Sequence, residues 1–442
     1  MKRKIILAVD IGTSSLKAGF IDVSLYNKNH ETFSKDSSRL LAFIREPYLE
    51  GILPDIAAGR FEKLPATEWE NTLKRALFFL FRLCPDVNIE AICISGNGPT
   101  LIPVQKNEET LLPLYWFGKT TRPPGLSSFF LPHVIHFMET EPKQYEKTEY
   151  FCSSAEWLSF RLGAQCLTVL PTWEYQSYYW DKTQCSQAGV DIDKFPPFVT
   201  LGSLIGAVSA EAECLFGLKK GIPIVAGGPD FIMALLGTAS VESGLVCDRA
   251  GSSEGINMCV TQEERDRVLA LPSGDPAYPI RILPHVIAGL WNLGLLIPES
   301  GSLFDRWRYE NAQDNKSYDE LLAELKHDEY NGKNHALPGL SHSPRTIHPI
   351  LLKIAGQVKK TLLVLKEAGL PVKEMRLSGG QAKNASWNKH KAKLIGSDLL
   401  VPDILDGELT GDAAAALLAL GESSNLREAC TMLVQIKTRF EG

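Results

Sequence analysis

The sequence lacks the patterns that mark disulfide-rich, zinc-binding, nucleic-acid-binding and membrane-spanning proteins. Its nine cysteines are scattered, with no CxxC pair and no His/Cys cluster at zinc spacing, which favours buried thiols in a reducing compartment. Lys and Arg (46) are slightly outnumbered by Asp and Glu (52), and no basic run offers a surface to nucleic acid or an anionic membrane. No stretch approaches the roughly 18 apolar residues of a spanning helix. We therefore expect no nucleic-acid partner and no membrane partner.

The apolar run near the start of the chain is also short. Ile5–Val9 is followed at once by Asp10, so the run is shorter than the apolar core of a secretory signal, and a cytoplasmic location is expected. The composition, 44% hydrophobic and 22% charged, is that of a globular protein. Because 442 residues exceed the size of one ordinary core, two domains are expected.

The stretch Ile5–Asp22 (IILAVDIGTSSLKAGFID) predicts a strand, a tight polar turn and a second strand. Neither the P-loop pattern GxxxxGK[ST] nor the dinucleotide pattern GxGxxG occurs there. What remains is Asp10 at a strand end, beside a turn whose N–H and hydroxyl groups suit phosphate oxygens, with Lys17 nearby. A turn whose polar side chains bond only their own backbone is the alternative, and the stretch alone leaves both open.

A second stretch in the middle of the chain has a similar pattern. Gly244–Val260 (GLVCDRAGSSEGINMCV) has an apolar approach, Asp248, a turn of small residues and an apolar exit. Repetition at about half the chain length indicates a duplicated domain. Two such hairpins favour a nucleotide held in a cleft between two halves.

Three blocks carry a resemblance to a known family. The pattern DxGTxSxK at Asp10–Lys17 resembles the actin-like, ribonuclease-H-like ATPase superfamily. Pro223–Gly244 (PIVAGGPDFIMALLGTASVESG) and Met375–Ala416 resemble blocks of its FGGY carbohydrate kinase branch, in a xylulokinase-like form. The resemblance implies an α/β fold of two ribonuclease-H-like (actin-like) domains with a nucleotide cleft between them. Residues 1–240 would form an N-terminal sugar-binding domain and residues 241–442 a C-terminal ATP-binding domain.

Asp230 is the residue on which the predicted chemistry depends most. Gly227, Gly228 and Pro229 precede it at the end of a buried strand, and a helix begins at Phe231. A carboxylate there suits the acceptance of a hydroxyl proton in phosphoryl transfer, although it equally suits a helix cap. The family block favours the first role, so the resemblance implies that Asp230 is the catalytic base and a substrate contact.

The resemblance also implies the cofactors and their contacts. ATP and Mg²⁺ are expected, with Asp10 holding the metal ion through water. The implied nucleotide contacts are Asp10, Gly12, Thr13, Ser14, Lys17, Gly251, Ser252, Ser253, Gly379, Gly380, Gln381 and Asn384.

The candidate substrate contacts depart from the family pattern. They are Asn97, Thr100, Trp116, Arg122, Glu174 and Asp230. Phe117 and Gly118 stand where the family usually has a polar pair for sugar hydroxyls. Residues 334–345 (NHALPGLSHSPR) replace a longer family segment in the second half.

These features together predict an ATP-dependent phosphotransferase acting on a hydroxyl of a small sugar, either a ketose such as a pentulose or a polyol. The small molecule is the expected partner, and a homodimer is compatible with this interpretation. The altered pocket leaves a catalytically weak sugar-binding relative as an alternative. A partner-coupled actin-like ATPase and a kinase of a small-molecule acid are the others.

Overall fold

A computed structural model describes residues 3–24, 38–48, 64–251, 253–270, 280–311, 316, 320–321, 348–370 and 372–442. The chain divides into two compact units. The first contains Met1–Ala239 and Gly407–Val434, and the second contains Ser240–Asp406 and Gln435–Gly442. The domain boundary predicted from the sequence lies after residue 240. In the structure the chain first passes from one unit to the other after Ala239, one residue earlier. Residues 407–434, which that scheme assigned to the C-terminal domain, pack in the first unit.

The first unit is built on a six-stranded sheet with the order β3-β2-β1-β4-β10-β9. Its β1 and β2 form an antiparallel hairpin, whereas β1, β4 and β10 run parallel to one another. The strands of this unit are β1 Ile5–Ile11, β2 Ser15–Asp22, β3 Leu40–Pro47, β4 Ile89–Gly96, β5 Leu101–Gln105, β6 Thr148–Ser153, β7 Thr168–Leu170, β8 Phe198–Thr200, β9 Leu204–Ala207 and β10 Pro223–Pro229. Every residue of β1 is buried, as its continuous apolar run predicts for a central strand.

Parallel pairing brings three strand ends to one edge of this sheet. Ile11 is in register with Gly96, and Gly96 is in register with Pro229. The residues that follow β4 and β10, and those at the end of β1, therefore lie side by side. In open α/β sheets this carboxyl edge is where ligands bind.

Helices cover both units. Those of the first are Ala66–Leu83, Leu131–Thr140, Pro142–Lys147, Ser154–Leu162, Gln176–Tyr179, Lys182–Ala188, Ala210–Phe216, Asp230–Gly237, Gly407–Ala419 and Leu426–Leu433. Those of the second are Gln262–Leu269, Gly301–Glu310, His348–Glu367 and Ala385–Ile395. None of the helices in the described part of the chain is long and apolar enough to span a membrane.

The packing of two of these helices explains why residues 407–434 belong to the first unit. Gly407–Ala419 is buried over nearly its whole length and packs on Asp230–Gly237. A Cβ added at Gly237 would lie 1.7 Å from the Gly407 carbonyl oxygen, and one at Gly411 would lie 2.1 Å from the Met233 oxygen. The helices therefore touch backbone to backbone, and glycine is required on both.

The second unit repeats the arrangement of the first. Its seven-stranded sheet has the order β13-β14-β12-β11-β15-β16-β17. Its strands are β11 Leu245–Ala250, β12 Glu254–Thr261, β13 Arg281–Pro284, β14 Leu290–Ile297, β15 Glu374–Ser378, β16 Leu399–Pro402 and β17 Ile436–Phe440. As with β1 and β2, an antiparallel hairpin (β11 and β12) is followed in the sheet by parallel strands, β15 and β16. The predicted repeat in the sequence is therefore a repeat of topology.

Candidate active site

The hairpin of the first unit places Asp10 directly opposite Lys17. The two residues are in register, and Lys17 Nζ lies 3.0 Å from Asp10 Oδ2. Glu408, from the helix Gly407–Ala419, lies 3.5 Å from the same ammonium group. The sequence interpretation missed Glu408, and its only local signal was an acidic residue ahead of Gly411-Asp412. A contact 391 residues apart in the chain is not visible in local pattern.

Burial dominates the electrostatics of Asp10. It raises the pKa of this carboxyl group to about 7, because the favourable charge of Lys17 only partly offsets desolvation and the negative charges of Glu408 and Asp230 raise the pKa further. The parallel register of β1, β4 and β10 brings Asp230 to the same sheet edge as Asp10. The two predicted carboxylates therefore share the carboxyl edge of the sheet.

The atoms around Asp10 suit a hard divalent cation. Its Oδ1 is buried and has no hydrogen-bond partner within the described residues. Mg²⁺ is commonly bound by one or two carboxylates with waters and substrate phosphates supplying the other oxygens. No group of three or more His, Cys, Asp or Glu side chains that could hold a metal ion occurs in the described ranges. The donor set therefore fits Mg²⁺ held mainly by phosphate and water, with Asp10 as the protein ligand.

The turn of the first hairpin is held closed from both sides. Gly12 N donates to Ser15 O at 3.0 Å, and Tyr48 donates its hydroxyl to Gly12 O at 2.8 Å. A Cβ at Gly12 would lie 2.9 Å from that Ser15 oxygen. Thr13 and Ser14 stay partly exposed at the tip. The tip is thus an ordered, accessible set of N–H and hydroxyl groups.

Asp230 begins its helix at the end of β10. Its Oδ1 accepts a hydrogen bond from Phe231 N at 2.6 Å, and the side chain is partly exposed. A Cβ at Gly227 would lie 2.0 Å from Ile94 O, so glycine lets β10 lie close to β4 and positions the carboxylate. The backbone contact and a role toward substrate can coexist, and the catalytic role stays a prediction.

The substrate candidates differ in how they are placed. Asn97 is buried beside the hairpin, with Oδ1 unpartnered among the described residues and Nδ2 3.5 Å from Thr13 Oγ1. Thr100 accepts a hydrogen bond from Trp116 N at 3.3 Å and so orders the chain at Trp116. Trp116 is 45% exposed and packs against Gly98, which has φ +37°. The structure thus brings Asn97 to the site and leaves the Trp116 ring open to a ligand.

The remaining substrate candidates make more local contacts. Arg122 is exposed and donates to Leu126 O at 2.8 Å within its own loop. Glu174 is exposed on the one-turn 3-10 helix Trp173–Tyr175. Phe117 stacks on Tyr115 at 5.2 Å, which places an aromatic ring where a polar pair was expected. A sugar contact from Arg122 or Glu174 stays a prediction.

An apolar cavity of about 80 Å³ lies beside the strand ends, and the sequence interpretation did not include it. Its wall includes Gly96–Pro99 and aromatic side chains such as Tyr175. Gly227–Pro229 and Phe231, which directly precede and follow Asp230 in the chain, also line it. Glu156 also lines it. Burial raises the pKa of Glu156 to about 7, although hydrogen bonds from the amides of Ser153 and Val169 oppose the shift.

In the second unit, Gly251 and Ser253 form the tip of the hairpin between β11 and β12, while Ser252 lies outside the described residues. Gly251 N donates to Ser253 O at 3.0 Å. The Gly251 carbonyl accepts from Gly301 N and from Gln381 Nε2, both at 3.0 Å. This turn is therefore fixed through its carbonyl group.

The predicted nucleotide block borders this turn. Gly379 has φ +93°, and a Cβ there would lie 2.9 Å from Ala250 O, so the position requires glycine. Gly380 begins a 3-10 helix. Gln381 is engaged by Gly251, Ser300 and Trp387, and Asn384 caps the next helix by accepting from Trp387 N at 2.7 Å. A nucleotide contact from either amide side chain would have to compete with these bonds.

Comparison with known proteins shows what this chain is similar to. The family model for the FGGY family of carbohydrate kinases, N-terminal domain, matches residues 117–237. A xylulose kinase of Bacillus subtilis (strain 168) is 21% identical over 99% of this chain and 92% of its own length. Residues 117–237 are therefore similar to the N-terminal domain of the FGGY family. An autoinducer-2 kinase of Enterobacter sp. (strain 638) is 23% identical over 70% of this chain and 64% of its own length.

Solved structures confirm the fold of this protein. A xylulose kinase from Rhodospirillum rubrum matches with a TM-score of 0.69 at 17% identity, covering 99% of this chain and 94% of that structure. A glycerol kinase from Plasmodium falciparum with ADP matches with a TM-score of 0.72 at 15% identity and the same coverage. The mixed α/β, actin-like fold expected from the sequence is therefore confirmed.

Proposed function

We propose that this protein is an FGGY-family kinase that transfers a phosphoryl group from ATP to a hydroxyl of a small sugar, either a ketose such as a pentulose or a polyol. The observation that carries the proposal is the parallel register of β1, β4 and β10, which brings Asp10 and Asp230 to one edge of the sheet, beside Lys17. The names of the relatives, xylulose kinase and autoinducer-2 kinase, support the same reaction class.

Asp230 is the proposed general base. It stands at a strand end with a partly exposed carboxylate, steadied by the amide of Phe231. A carboxylate in that position orients a sugar hydroxyl and accepts its proton as the oxygen attacks phosphorus. The proton moves from the substrate oxygen to Asp230, and the bond between the terminal phosphate and ADP breaks.

Lys17 and the hairpin turn are the proposed phosphate contacts of the first unit. The ammonium group, held between Asp10 and Glu408, supplies positive charge where phosphate charge develops. Asp10 would hold Mg²⁺, which neutralises phosphate charge when bound. In the second unit we propose that the turn at Gly251 and Ser253 holds phosphate of the nucleotide, with Gly379 and Gly380 alongside.

ADP release from MgATP tests the proposal across pentuloses, hexuloses, aldoses and polyols. The panel includes deoxy sugars, because the cavity beside Asp230 is largely apolar, and sugar acids. We expect at least one sugar or polyol to stimulate turnover and Asp230→Asn to reduce it by about 10²-fold or more. Asp86→Asn, an exchange at an exposed turn, is the matched control and should retain activity.

One observation favours a second candidate, a catalytically weak sugar-binding relative. Phe117 packs on Tyr115 in place of a polar pair, so the first unit offers fewer hydroxyl partners than expected. Sugar binding without stimulated ADP release would support this candidate and contradict the kinase. ATP turnover that responds to a protein partner alone would instead support a partner-coupled ATPase.

A further inference from the structure

A buried ionic cluster lies directly beneath the turn of the second unit. Lys391 Nζ lies 2.6 Å from Asp248 Oδ2 and also bonds Glu254 Oε1. The three side chains are 1%, 0% and 0% exposed. Burying charges costs several kcal/mol per ion, and such clusters are often no more stable than apolar packing. Their presence therefore calls for a role besides stability.

The cluster joins the two arms of the hairpin. Asp248 belongs to β11, and Glu254 is the first residue of β12, in register with Ala250 across the turn. Lys391 reaches both from the buried face of the helix Ala385–Ile395. The ammonium group thus pins the base of the Gly251–Ser253 tip.

Hydrogen bonds continue from the cluster to the tip itself. Ser300 donates its hydroxyl to Glu254 Oε2 at 2.6 Å and accepts from Gln381 Nε2 at 2.9 Å. The other hydrogen of the Gln381 amide goes to Gly251 O at 3.0 Å, and Trp387 Nε1 holds Gln381 Oε1 at 3.0 Å. An unbroken run of contacts therefore joins Lys391 to the carbonyl of Gly251.

The pKa values of the two carboxyl groups are shifted in opposite directions. Burial, together with the neighbouring Glu254, raises the pKa of Asp248 well above its ordinary value. Burial also opposes charge on Glu254, but Lys391 and hydrogen bonds from Asp248 and Ser300 hold its pKa below its ordinary value. Burial thus favours the protonated form of Asp248, whereas Lys391 favours the ionised form of Glu254.

We propose that Lys391 is a positioning residue for the nucleotide, acting through Glu254, Ser300 and Gln381 to fix the Gly251 carbonyl and so the phosphate-binding face of the turn. The inference rests on the proposed function, in which this turn holds phosphate. Because its side chain is only 1% exposed, Lys391 would act through these residues and not by contact with the nucleotide. A turn displaced by about 1 Å would lose much of its ability to bind and align phosphate.

The test is a set of single substitutions compared by MgATP affinity without sugar, measured by titration calorimetry. We expect Lys391→Met and Glu254→Gln to raise the ATP Kd about tenfold or more. Asp248→Asn should raise it no more than about threefold, because the amide oxygen of asparagine can still accept the hydrogen bond from Lys391. In turnover assays the KM for ATP should rise while the KM for the sugar stays within about twofold of wild type.

Two further variants separate positioning from loss of stability. Val358→Ala removes fully buried methyl groups from the same unit, outside the network, and should lower the Tm without changing the ATP Kd. Ser300→Ala interrupts the network without removing a charge, so it keeps the test open if Lys391→Met fails to fold. It should raise the ATP Kd about fivefold.

The outcomes distinguish this inference from the proposed function. If wild-type protein binds no MgATP, the proposed function fails. If wild type binds MgATP but Glu254→Gln and Ser300→Ala bind it equally well, the positioning role is overturned and the function stands. Equal weakening by Val358→Ala at the same Tm loss would also overturn it, because the effect would then follow stability alone.

Discussion

At the scale of single residues, the distinctive feature of the first unit is a carboxyl group whose pKa lies near 7. Asp10 is buried, and burial raises its pKa to about 7 despite Lys17 3.0 Å away. Folding therefore favours the protonated form in the absence of ligand. Between the ordinary pKa of an aspartate and pH 7 the folded state binds more protons than the unfolded state, so this residue makes stability fall as pH rises.

This linkage predicts the pH dependence of unfolding. The contribution of Asp10 is fully present below about pH 4 and is lost as pH rises through about 7. From pH 5 to pH 8 it should lower the free energy of unfolding by about 2–3 kcal/mol. Asp10→Asn cannot titrate, so urea unfolding of this variant should show a decline smaller by that amount.

Other buried carboxyl groups also make stability fall as pH rises, so the effect of Asp10 is the difference between wild type and Asp10→Asn. Burial also raises the pKa of Glu156 to about 7, and that of Asp412 well above its ordinary value. Both remain in wild type and variant alike. An equal decline in the two proteins would show that Asp10 is already ionised in the folded state.

At the scale of elements, the packing of Gly407–Ala419 on Asp230–Gly237 positions both Glu408 and Asp230. The contact depends on Gly411, where a Cβ would lie 2.1 Å from Met233 O. Backbone cannot give way as a flexible side chain can, so the helices would have to separate. The spacing of these helices is therefore set by glycine.

Gly411→Ala should destabilise the first unit by about 2 kcal/mol or more, because overpacking outweighs the gain in helix propensity. Gly356 offers the matched control, since it is exposed within the helix His348–Glu367 and a Cβ there meets nothing within 4 Å. Gly356→Ala should stabilise by about 0.5–1 kcal/mol. Chemical denaturation measures both changes, and a stabilising Gly411→Ala would show that the helices can separate freely.

At the scale of the whole molecule, local pattern predicted more of the strands than of the contacts between distant segments. The apolar run before Asp10 and the small residues after it specify a hairpin, and the pairing of Asp10 with Lys17 follows from its register. The similar hairpin at Asp248 was predictable in the same way. Both signals are local, so they survive in a single sequence.

Contacts between distant segments were not predictable on those grounds. The side chains that pair with Glu408 and Lys391 are more than 130 residues away in the chain. One sign was readable for Lys391: it shares a helical face with Trp387 and Ile395, which are buried. A lysine on an apolar face implies a buried partner, but the sequence does not say which carboxylate provides it. The nucleotide contact of Gln381 stays a prediction, but the bonds of its amide to Gly251 and Trp387 were not readable from the sequence.

The return of the chain to the first unit leads to a prediction about fragments. Residues 1–239 alone should fail to unfold cooperatively, because the helix Gly407–Ala419 fills the space beside β1 and Asp230–Gly237. Its removal would expose a large apolar face, which favours aggregation. Joining residues 407–434 to 239 should restore a cooperative transition. A flexible linker of about six residues is enough, since Gly237 and Gly407 already touch.

Urea unfolding followed by tryptophan fluorescence and by circular dichroism distinguishes the two fragments. Coincident transitions are expected for the joined fragment and a broad, non-coincident change for residues 1–239. A joined fragment that carries Gly411→Ala provides the control, because it has the same composition but impaired helix contact. Cooperative folding of residues 1–239 by themselves would mean that the end of the chain is added to a finished core. In that case Glu408 would contact Lys17 only after residues 1–239 had folded.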